Sequence, residues 1–157
     1  MKKIISILFL GLLCACSKDN TETGANPNLT LVTGTWLLHE LRINPAQDID
    51  EDGQSTSNVM EELTCISGTL QLRSDYSWTF SGTDVVITTI TGGLFKFFCA
   101  EAPRTAQGIW DLNGNVVRLA DDVGNLTTFS LDAEALTLTN TIGAALPGLQ
   151  AEVYSKN

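Results

Sequence analysis

The sequence contains little histidine and little positive charge. It has one His and nine Lys or Arg residues against 18 Asp or Glu residues, which gives a formal net charge of −9. Because nucleic-acid binding ordinarily needs a basic surface, this balance argues against DNA or RNA as a partner. A histidine-rich metal centre is excluded, and a Ser–His–Asp triad would depend on His39, which lies among leucines in a predicted strand.

Recognisable catalytic motifs are also missing. No glycine-rich phosphate-binding loop leads from a strand into a helix, and no nucleophile-elbow pattern surrounds the many Ser and Thr residues. We therefore expect a protein that is not an enzyme. The chain does have 43% hydrophobic and 17% charged residues over 157 positions, a composition typical of one folded domain.

The first residues form a targeting segment. Lys2 and Lys3 precede Ile4–Leu13, a run of about ten apolar residues that is too short to span a bilayer and is typical of a signal peptide. Residues 13–16 resemble the bacterial lipobox, which implies cleavage after residue 15 and attachment of diacylglycerol to Cys16. The alternatives are a transmembrane anchor and an ordinary cleaved signal. We expect a signal peptide over residues 1–15 and a membrane anchor through the lipid on Cys16.

The segment after the predicted lipid resembles a sorting signal. Ser17–Asn20 is similar to the Lys/Asp-rich sequence that sends lipoproteins of Bacteroidota-type bacteria to the outer face of the outer membrane. This resemblance implies a lipid-anchored outer-membrane protein at the cell surface; the alternatives are a periplasm-facing protein and a plain polar tether. Residues 16–30 are then the lipidated N-terminus and flexible tether, and residues 31–157 the folded domain.

Two cysteines remain in the predicted folded domain, Cys65 and Cys99. A protein exported to an oxidising compartment ordinarily pairs such cysteines in a disulfide. The bond would close a loop of about 35 residues, worth roughly 3–4 kcal/mol. The alternative, a reactive thiol, lacks the neighbouring basic residues that activate sulfur.

After residue 31 the sequence consists of alternating or short apolar segments separated by turn residues, which predicts antiparallel strands joined in sequence. The strongest hairpin signals are Gly92-Gly93 and Asn113-Gly114. A meander of this length removes its free edges by closing, so we expect an all-β, up-and-down barrel of about eight to ten strands, with a two-sheet sandwich as the alternative. The predicted strands are Thr33–Ile43, Thr69–Arg73, Tyr76–Ser81, Asp84–Thr91, Leu94–Cys99, Gln107–Leu112, Asn115–Ala120, Leu126–Leu131, Ala135–Asn140 and Leu149–Tyr154.

Several motifs resemble the lipocalin-like lipoproteins of Bacteroidota. Gly34-Thr35-Trp36 opens the first strand as the lipocalin Gly-x-Trp does, and residues 108–119 repeat Gly-x-Trp before an Asn-Gly hairpin. The two cysteines, the acidic loop before Cys65 and the ending at residues 152–154 are also similar to that group. The resemblance covers about residues 31–155, and it implies a barrel with a pocket for a small apolar molecule.

The longest predicted loop, residues 44–67, carries an Asp-x-Asp-x-Asp-Gly spacing that ends at Gly53. Such spacing aims carboxylates at one hard cation, as in calcium loops, although Val59 stands where an EF-hand has its last glutamate. Glu61 is expected to cap a short helix that starts at Asn58, which leaves Glu62 free. A solvated acidic loop is the alternative to a structural calcium site. The predicted ligands are Asp48, Asp50, Asp52 and Glu62.

The predicted barrel interior is the second candidate site. If Trp36 points inward, strand alternation places Leu38, Glu40 and Arg42 on the same side. Glu40 and Arg42 would then contact a ligand's polar group, or they would pair with each other. The alternative is that the aromatic residues fill a packed core, as in small barrels. The predicted ligand-binding residues are Trp36, Glu40, Arg42, Trp78, Phe80, Trp110 and Phe129, with Leu136 and Leu138 as further lining.

Two functions are compatible with these sequence features. The first is a lipid-anchored monomeric barrel that binds a small apolar molecule. The second is a packed barrel that acts as a surface interaction module for a partner protein or glycan. A cavity of several hundred cubic ångströms would favour the first, and a filled interior with an exposed apolar patch would favour the second.

Overall fold

The computed structural model describes residues 26–142 and 148–157. The predicted signal peptide, the predicted lipidation residue Cys16 and the predicted tether up to residue 25 lie outside the described residues. Residues 26–30, which the composition assigns to the tether, lie against the barrel, because Leu29 packs on its core and the Asn26 and Asn28 amides donate to the Gly114 carbonyl. No helix among the described residues is long and apolar enough to cross a membrane.

The fold is an antiparallel eight-stranded barrel with one added strand, which confirms the predicted fold class. Each barrel strand pairs with the next one along the chain, and the last pairs with the first, so the sheet closes. The barrel strands are β1 (Gly34–Gln47), β3 (Gly68–Leu72), β4 (Ser77–Thr89), β5 (Phe95–Asn113), β6 (Val116–Asp121), β7 (Leu126–Asp132), β8 (Thr137–Thr141) and β9 (Leu149–Lys156). The added strand, β2 (Thr56–Asn58), pairs only with β1.

The helical content is limited to short turns. The helix α1 (Leu29–Val32) precedes the barrel, and a 3-10 turn at Thr91–Gly93 joins β4 to β5. The helix α2 (Val59–Glu62) lies in the long first loop, as the capping pattern predicts: the side chain of its N-cap, Asn58, accepts from the Met60 N–H.

Four of the ten predicted strands merge into two. Residues 76–81 and 84–91 fall largely in the single strand β4, and residues 94–99 and 107–112 fall largely in β5. The strands continue because the irregular region is a bulge rather than a turn. Thr83 pairs with Pro103 and Val85 with Cys99, so one residue of β4 faces three of β5 and the pairing then resumes.

The hairpin of β4 and β5 extends beyond its neighbour on one side. β6 pairs with β5 only over residues 108–113. We call residues 83–103, the part of the hairpin from the bulge to the tip, the hairpin arm. The buried side chain of Gln47 at the end of β1 holds it: its amide N–H₂ donates to the Phe95 carbonyl at 2.8 Å, and its carbonyl accepts from the Phe95 N–H at 2.8 Å.

Tyr76 lies in the turn just before β4, although the predicted strand Tyr76–Ser81 includes it. Its φ of 63° is left-handed, and the Asp75 carboxylate closes the turn by accepting from the Ser77 N–H and hydroxyl. The Ser77 hydroxyl bond holds the pKa of the Asp75 carboxyl below its usual value. The Tyr76 ring instead packs on Trp110, with ring centroids 5.2 Å apart.

The local backbone requires glycine at the first position of both Gly-x-Trp motifs. Gly34 has a φ of 139°, which L side chains rarely adopt. Gly108 lies where β5 and β6 run so close that an added Cβ would be 1.9 Å from the Ala120 carbonyl oxygen. In each motif the tryptophan two residues later is buried.

The core has two parts. All eight barrel strands contribute to the first, which fills the barrel, while the second lies between β1, α2 and the hairpin arm. The first core cluster is Val32, Trp36, Leu70, Leu72, Trp78, Trp110, Val117, Leu119, Phe129, Leu131, Leu138 and Tyr154. The second core cluster is Leu41, Ile43, Val59, Ile66, Phe95, Phe97 and Leu149.

The predicted disulfide is present. Cys65, just before β3, is bonded to Cys99 in β5, with Cα atoms 6.4 Å apart. The bond therefore ties the long first loop to the hairpin arm.

Candidate functional site

The acidic loop brings three of the four predicted metal ligands together. Asp48, Asp50 and Glu62 each offer a carboxylate oxygen, and these oxygens lie within 4.8 Å of one another. Glu62 is only 8% exposed, and its Oε2 accepts from the N–H groups of Ile49 at 2.7 Å and Asp50 at 3.2 Å. The helix α2 therefore fixes Glu62 against the loop that carries both aspartates.

The two carboxylate oxygens of Asp48 have different surroundings. Oδ2 accepts from the Gly53 N–H at 2.9 Å, which closes the loop at the glycine that ends the aspartate spacing. Oδ1 is buried and has no hydrogen-bond partner among the described residues. A buried acceptor without a partner is costly, so this oxygen requires an explanation.

The fourth predicted ligand, Asp52, does not join the group. Its Oδ1 accepts from the Gln54 N–H at 2.8 Å, a local turn contact that directs the side chain away. Glu61 is also engaged elsewhere, because its carboxylate accepts from the Thr56 hydroxyl at 2.8 Å and from the Asn58 amide. Glu62, rather than Glu61, is therefore the glutamate that lies in the acidic group with Asp48 and Asp50.

The barrel interior is filled by the aromatic residues that were predicted to line it. Four of these residues are buried, namely Trp36, Trp78, Trp110 and Phe129, and Phe80 is half-buried beside them. Leu138 is fully buried, whereas Leu136 is a turn residue with a φ of 50° and is 37% exposed.

Each tryptophan N–H is already used by the protein. Trp36 donates to the Val32 carbonyl at 2.8 Å, and Trp110 donates to the Arg73 carbonyl at 3.0 Å. Trp78 donates to two carbonyls, at 3.0 and 3.1 Å, in β5 and β6. No indole donor is left for a ligand, and the three rings serve the packing of the core.

The inward orientation predicted for Glu40 and Arg42 is wrong. Leu38 pairs with Tyr154 and Glu40 with Val153, so His39 is an extra residue on β1. This bulge reverses the alternation and directs Leu41, rather than Glu40, into the core. Glu40 and Arg42 pair with each other on the outside, Arg42 Nε lying 2.5 Å from Glu40 Oε2, which is the alternative that the sequence left open.

The polar residues that line the two cavities of the barrel were missed by sequence reasoning. Two small cavities, of about 50 and 90 Å³, share Phe80, Arg104, Glu152 and Tyr154 in their walls. Burial, reinforced by the Glu152 charge, raises the pKa of the Tyr154 hydroxyl well above its usual value. The alternation of β9 places residues 152 and 154 on one face, but only the closed barrel brings residue 104 near them.

An open groove on the surface has a volume of about 480 Å³. Asp121 and Asp122 line it, but both serve local structure. Asp121 accepts from the Asn125 amide at 2.7 Å, and this bond lowers the pKa of the Asp121 carboxyl. Asp122 accepts from the Gln107 amide at 2.8 Å. Both carboxylates that line the groove are therefore engaged in contacts within the protein.

Comparison with known proteins gives no match: no family model, no curated protein and no solved structure is similar to this chain. The resemblance to lipocalin-like lipoproteins therefore stays a prediction that rests on the motifs alone.

Proposed function

We propose that this chain is a lipid-anchored surface module whose packed barrel presents its outer face to a macromolecular partner. The observation that carries the proposal is the filled interior. Pockets for small molecules usually measure roughly 300–1,000 Å³, and the cavities inside this barrel measure about 50 and 90 Å³. A barrel that is packed in this way serves as a scaffold more readily than as a carrier.

The outer face of the hairpin arm is the best candidate for the contact surface. Val86 and Phe98 stand opposite each other there, 45% and 43% exposed. Ile90 and Leu94, at the tip, are 47% and 40% exposed. Large apolar side chains that are grouped and exposed mark interaction sites in soluble domains. The Lys96 ammonium lies 5.1 Å from the Phe98 ring centre and adds a positive group to this face.

The face of the arm is a better contact surface than its edge. Among the described strands, β5 pairs only with β4 along the arm, so no strand covers its other edge, where the Gln47 side chain binds the backbone of Phe95. The addition of another strand at this edge is disfavoured by Pro103, by Lys96 and by the bulge at residues 100–102. The edge is thus protected, while the apolar face beside it is left open.

A photo-crosslinking amino acid at Leu94 tests this assignment in intact cells. We expect one dominant adduct that is lost when Phe98→Ser is added. The matched control places the crosslinker at Val123, which is 83% exposed but outside the arm. Adducts that are equal at both positions, or insensitive to Phe98→Ser, would reject the arm as the contact surface.

The anchor is a separate part of the proposal. Cys16 is expected to carry acyl chains, and two or more chains give stable membrane attachment. Metabolic labelling with palmitate should mark the wild type, and Cys16→Ala should abolish the label and leave the precursor uncleaved. Labelling that survives in Cys16→Ala would contradict the lipobox assignment.

The sorting part of the proposal has its own test. If Ser17–Asn20 directs the protein to the cell surface, Lys18→Ala with Asp19→Ala should reduce protease accessibility on intact cells. Unchanged accessibility would mean that this segment is only a tether.

A small-molecule function is the second candidate, and one observation favours it. Arg104, Glu152 and Tyr154 bring two charged groups and a hydroxyl to the shared wall of the two cavities. Glu152 also accepts from the Asn140 amide at 3.4 Å. A compound small enough to join the two cavities would meet this polar cluster, and the mass measurement at the end of the Discussion tests for it.

A further inference from the structure

We propose that Asp48, Asp50 and Glu62 bind one Ca²⁺ ion, which joins the end of β1 to α2. The spacing of the acidic loop indicates such a site, but acidic spacing alone also occurs in solvated loops. The structure adds the buried Asp48 Oδ1, which has no hydrogen-bond partner among the described residues, next to a Glu62 that is 8% exposed. Buried carboxylate oxygens in this position are ordinarily satisfied by a donor or by a metal ion.

No Lys or Arg side chain among the described residues forms an ion pair with these three carboxylates. Among the described residues the ion pairs join Arg42 to Glu40 and Arg118 to Asp111, and neither reaches the acidic loop. Three carboxylates held this close repel one another unless a cation lies between them. The charge of the group therefore points to an ion from solution.

The donor set and its dimensions fit calcium. Every ligand atom is a carboxylate oxygen, which hard cations prefer. Two oxygens bound to one Ca²⁺ at about 2.4 Å can be at most about 4.8 Å apart, and the three oxygens here lie within 4.8 Å of one another. Mg²⁺ demands near-ideal octahedral geometry and gives up its water ligands reluctantly, so a group of three protein carboxylates suits Ca²⁺ better. The exposed Asp50 leaves one side open for water ligands.

The position of the site indicates a structural role. Asp48 directly follows Gln47, which holds the hairpin arm, and Glu62 belongs to α2, whose fully buried Val59 is part of the second core cluster. An ion between Asp48 and Glu62 would fix α2 over this end of the barrel. Calcium binding should therefore stabilise the whole fold rather than the loop alone.

Calorimetric titration of the full chain in detergent, with CaCl₂ as the titrant, tests binding directly. We expect one site per chain, with MgCl₂ binding at least tenfold more weakly. A melting curve should shift up by roughly 8 °C at a hundredfold excess of Ca²⁺ over Kd, and EGTA should reverse the shift. No heat and no shift at millimolar Ca²⁺ would overturn the proposal.

Two variants of the same loop locate the site. Asp48→Asn should weaken Ca²⁺ binding at least tenfold, and in EGTA it should melt no lower than the wild type, because the amide removes one repelling charge. The matched control Asp52→Asn should keep full binding, since Asp52 caps Gln54 and lies outside the group. Glu62→Gln, which keeps an acceptor for the loop N–H groups, should lose binding as Asp48→Asn does. Equal losses in Asp52→Asn and Asp48→Asn, or full binding in Asp48→Asn, would contradict the assignment.

Discussion

Replacing Gln47 with leucine tests how the hairpin arm is held to the barrel. The substitution removes two hydrogen bonds of 2.8 Å and leaves the N–H and carbonyl of Phe95 without these partners in a buried site. Each such group costs about 1–3 kcal/mol, so Gln47→Leu should lower the free energy of unfolding by about 2–6 kcal/mol. Leucine is similar in size to glutamine, so a cavity is not the cause of the loss.

Urea unfolding measures the total loss, and hydrogen exchange at the Phe95 amide locates it. The amide should exchange much faster in Gln47→Leu than in the wild type. The matched control is Gln71→Leu, because Gln71 is half-buried and its side chain accepts a single bond, from the Thr35 hydroxyl. That control should cost no more than about 1.5 kcal/mol. If both variants lose the same stability, or if Phe95 exchange is unchanged, the reasoning about Gln47 is wrong.

Three other predictions concern the disulfide, a buried tyrosine and a close strand contact. Cys65→Ser with Cys99→Ser should lower the free energy of unfolding by roughly 3–4 kcal/mol in urea, because the bond joins residues 34 apart in sequence; equal stability with and without the bond would contradict this. Burial raises the pKa of Tyr154, so above about pH 10 the unfolded chain loses a proton that the folded chain keeps. Stability should then fall by up to about 1.4 kcal/mol per pH unit, a slope that Tyr154→Phe reduces and Tyr76→Phe does not; equal slopes in the two variants would refute it. Gly108→Ala should cost about 1–3 kcal/mol or more in thermal unfolding, because the new Cβ meets the backbone of β6, and a neutral result would contradict the close approach.

The closed barrel could be predicted because the local signals agree with one another. Alternating apolar residues and Asn-Gly or Gly-Gly turns occur in sequence order, and a meander has few ways to arrange them. The helix α2 could also be predicted, since Asn58 and Glu61 form a capping pattern that depends on neighbours only.

The errors arose where pairing between distant residues decides local geometry. The bulge at His39 exists because β1 pairs with β9, and no residue near position 39 signals it. In the same way, the sequence separates a strand that ends at Cys99 from one that begins at Gln107, but the pairing of Val85 with Cys99 makes residues 100–102 a bulge within one strand. The contact of Gln47 with Phe95 spans 48 residues, so it has no local pattern at all.

The geometry of the acidic loop could be predicted only where it depends on neighbouring residues. The spacing of aspartates determines which side chains approach one another within a loop, and it placed Asp48 and Asp50 correctly. It could not show that Asp52 would turn toward Gln54. The buried state of Glu62 depends on how α2 packs, which the sequence pattern leaves open.

The most direct test of the packed barrel compares two masses of the full chain, purified in detergent from the cells that produce it. Denaturing mass spectrometry gives the covalent mass, including any acyl chains, and native mass spectrometry with detergent removed in the gas phase gives the mass of the folded particle. A packed barrel predicts that, in the presence of EGTA, the two masses agree. A stoichiometric excess of several hundred daltons that disappears on unfolding would mean that the barrel carries a small molecule, and the account of a packed surface module would be wrong.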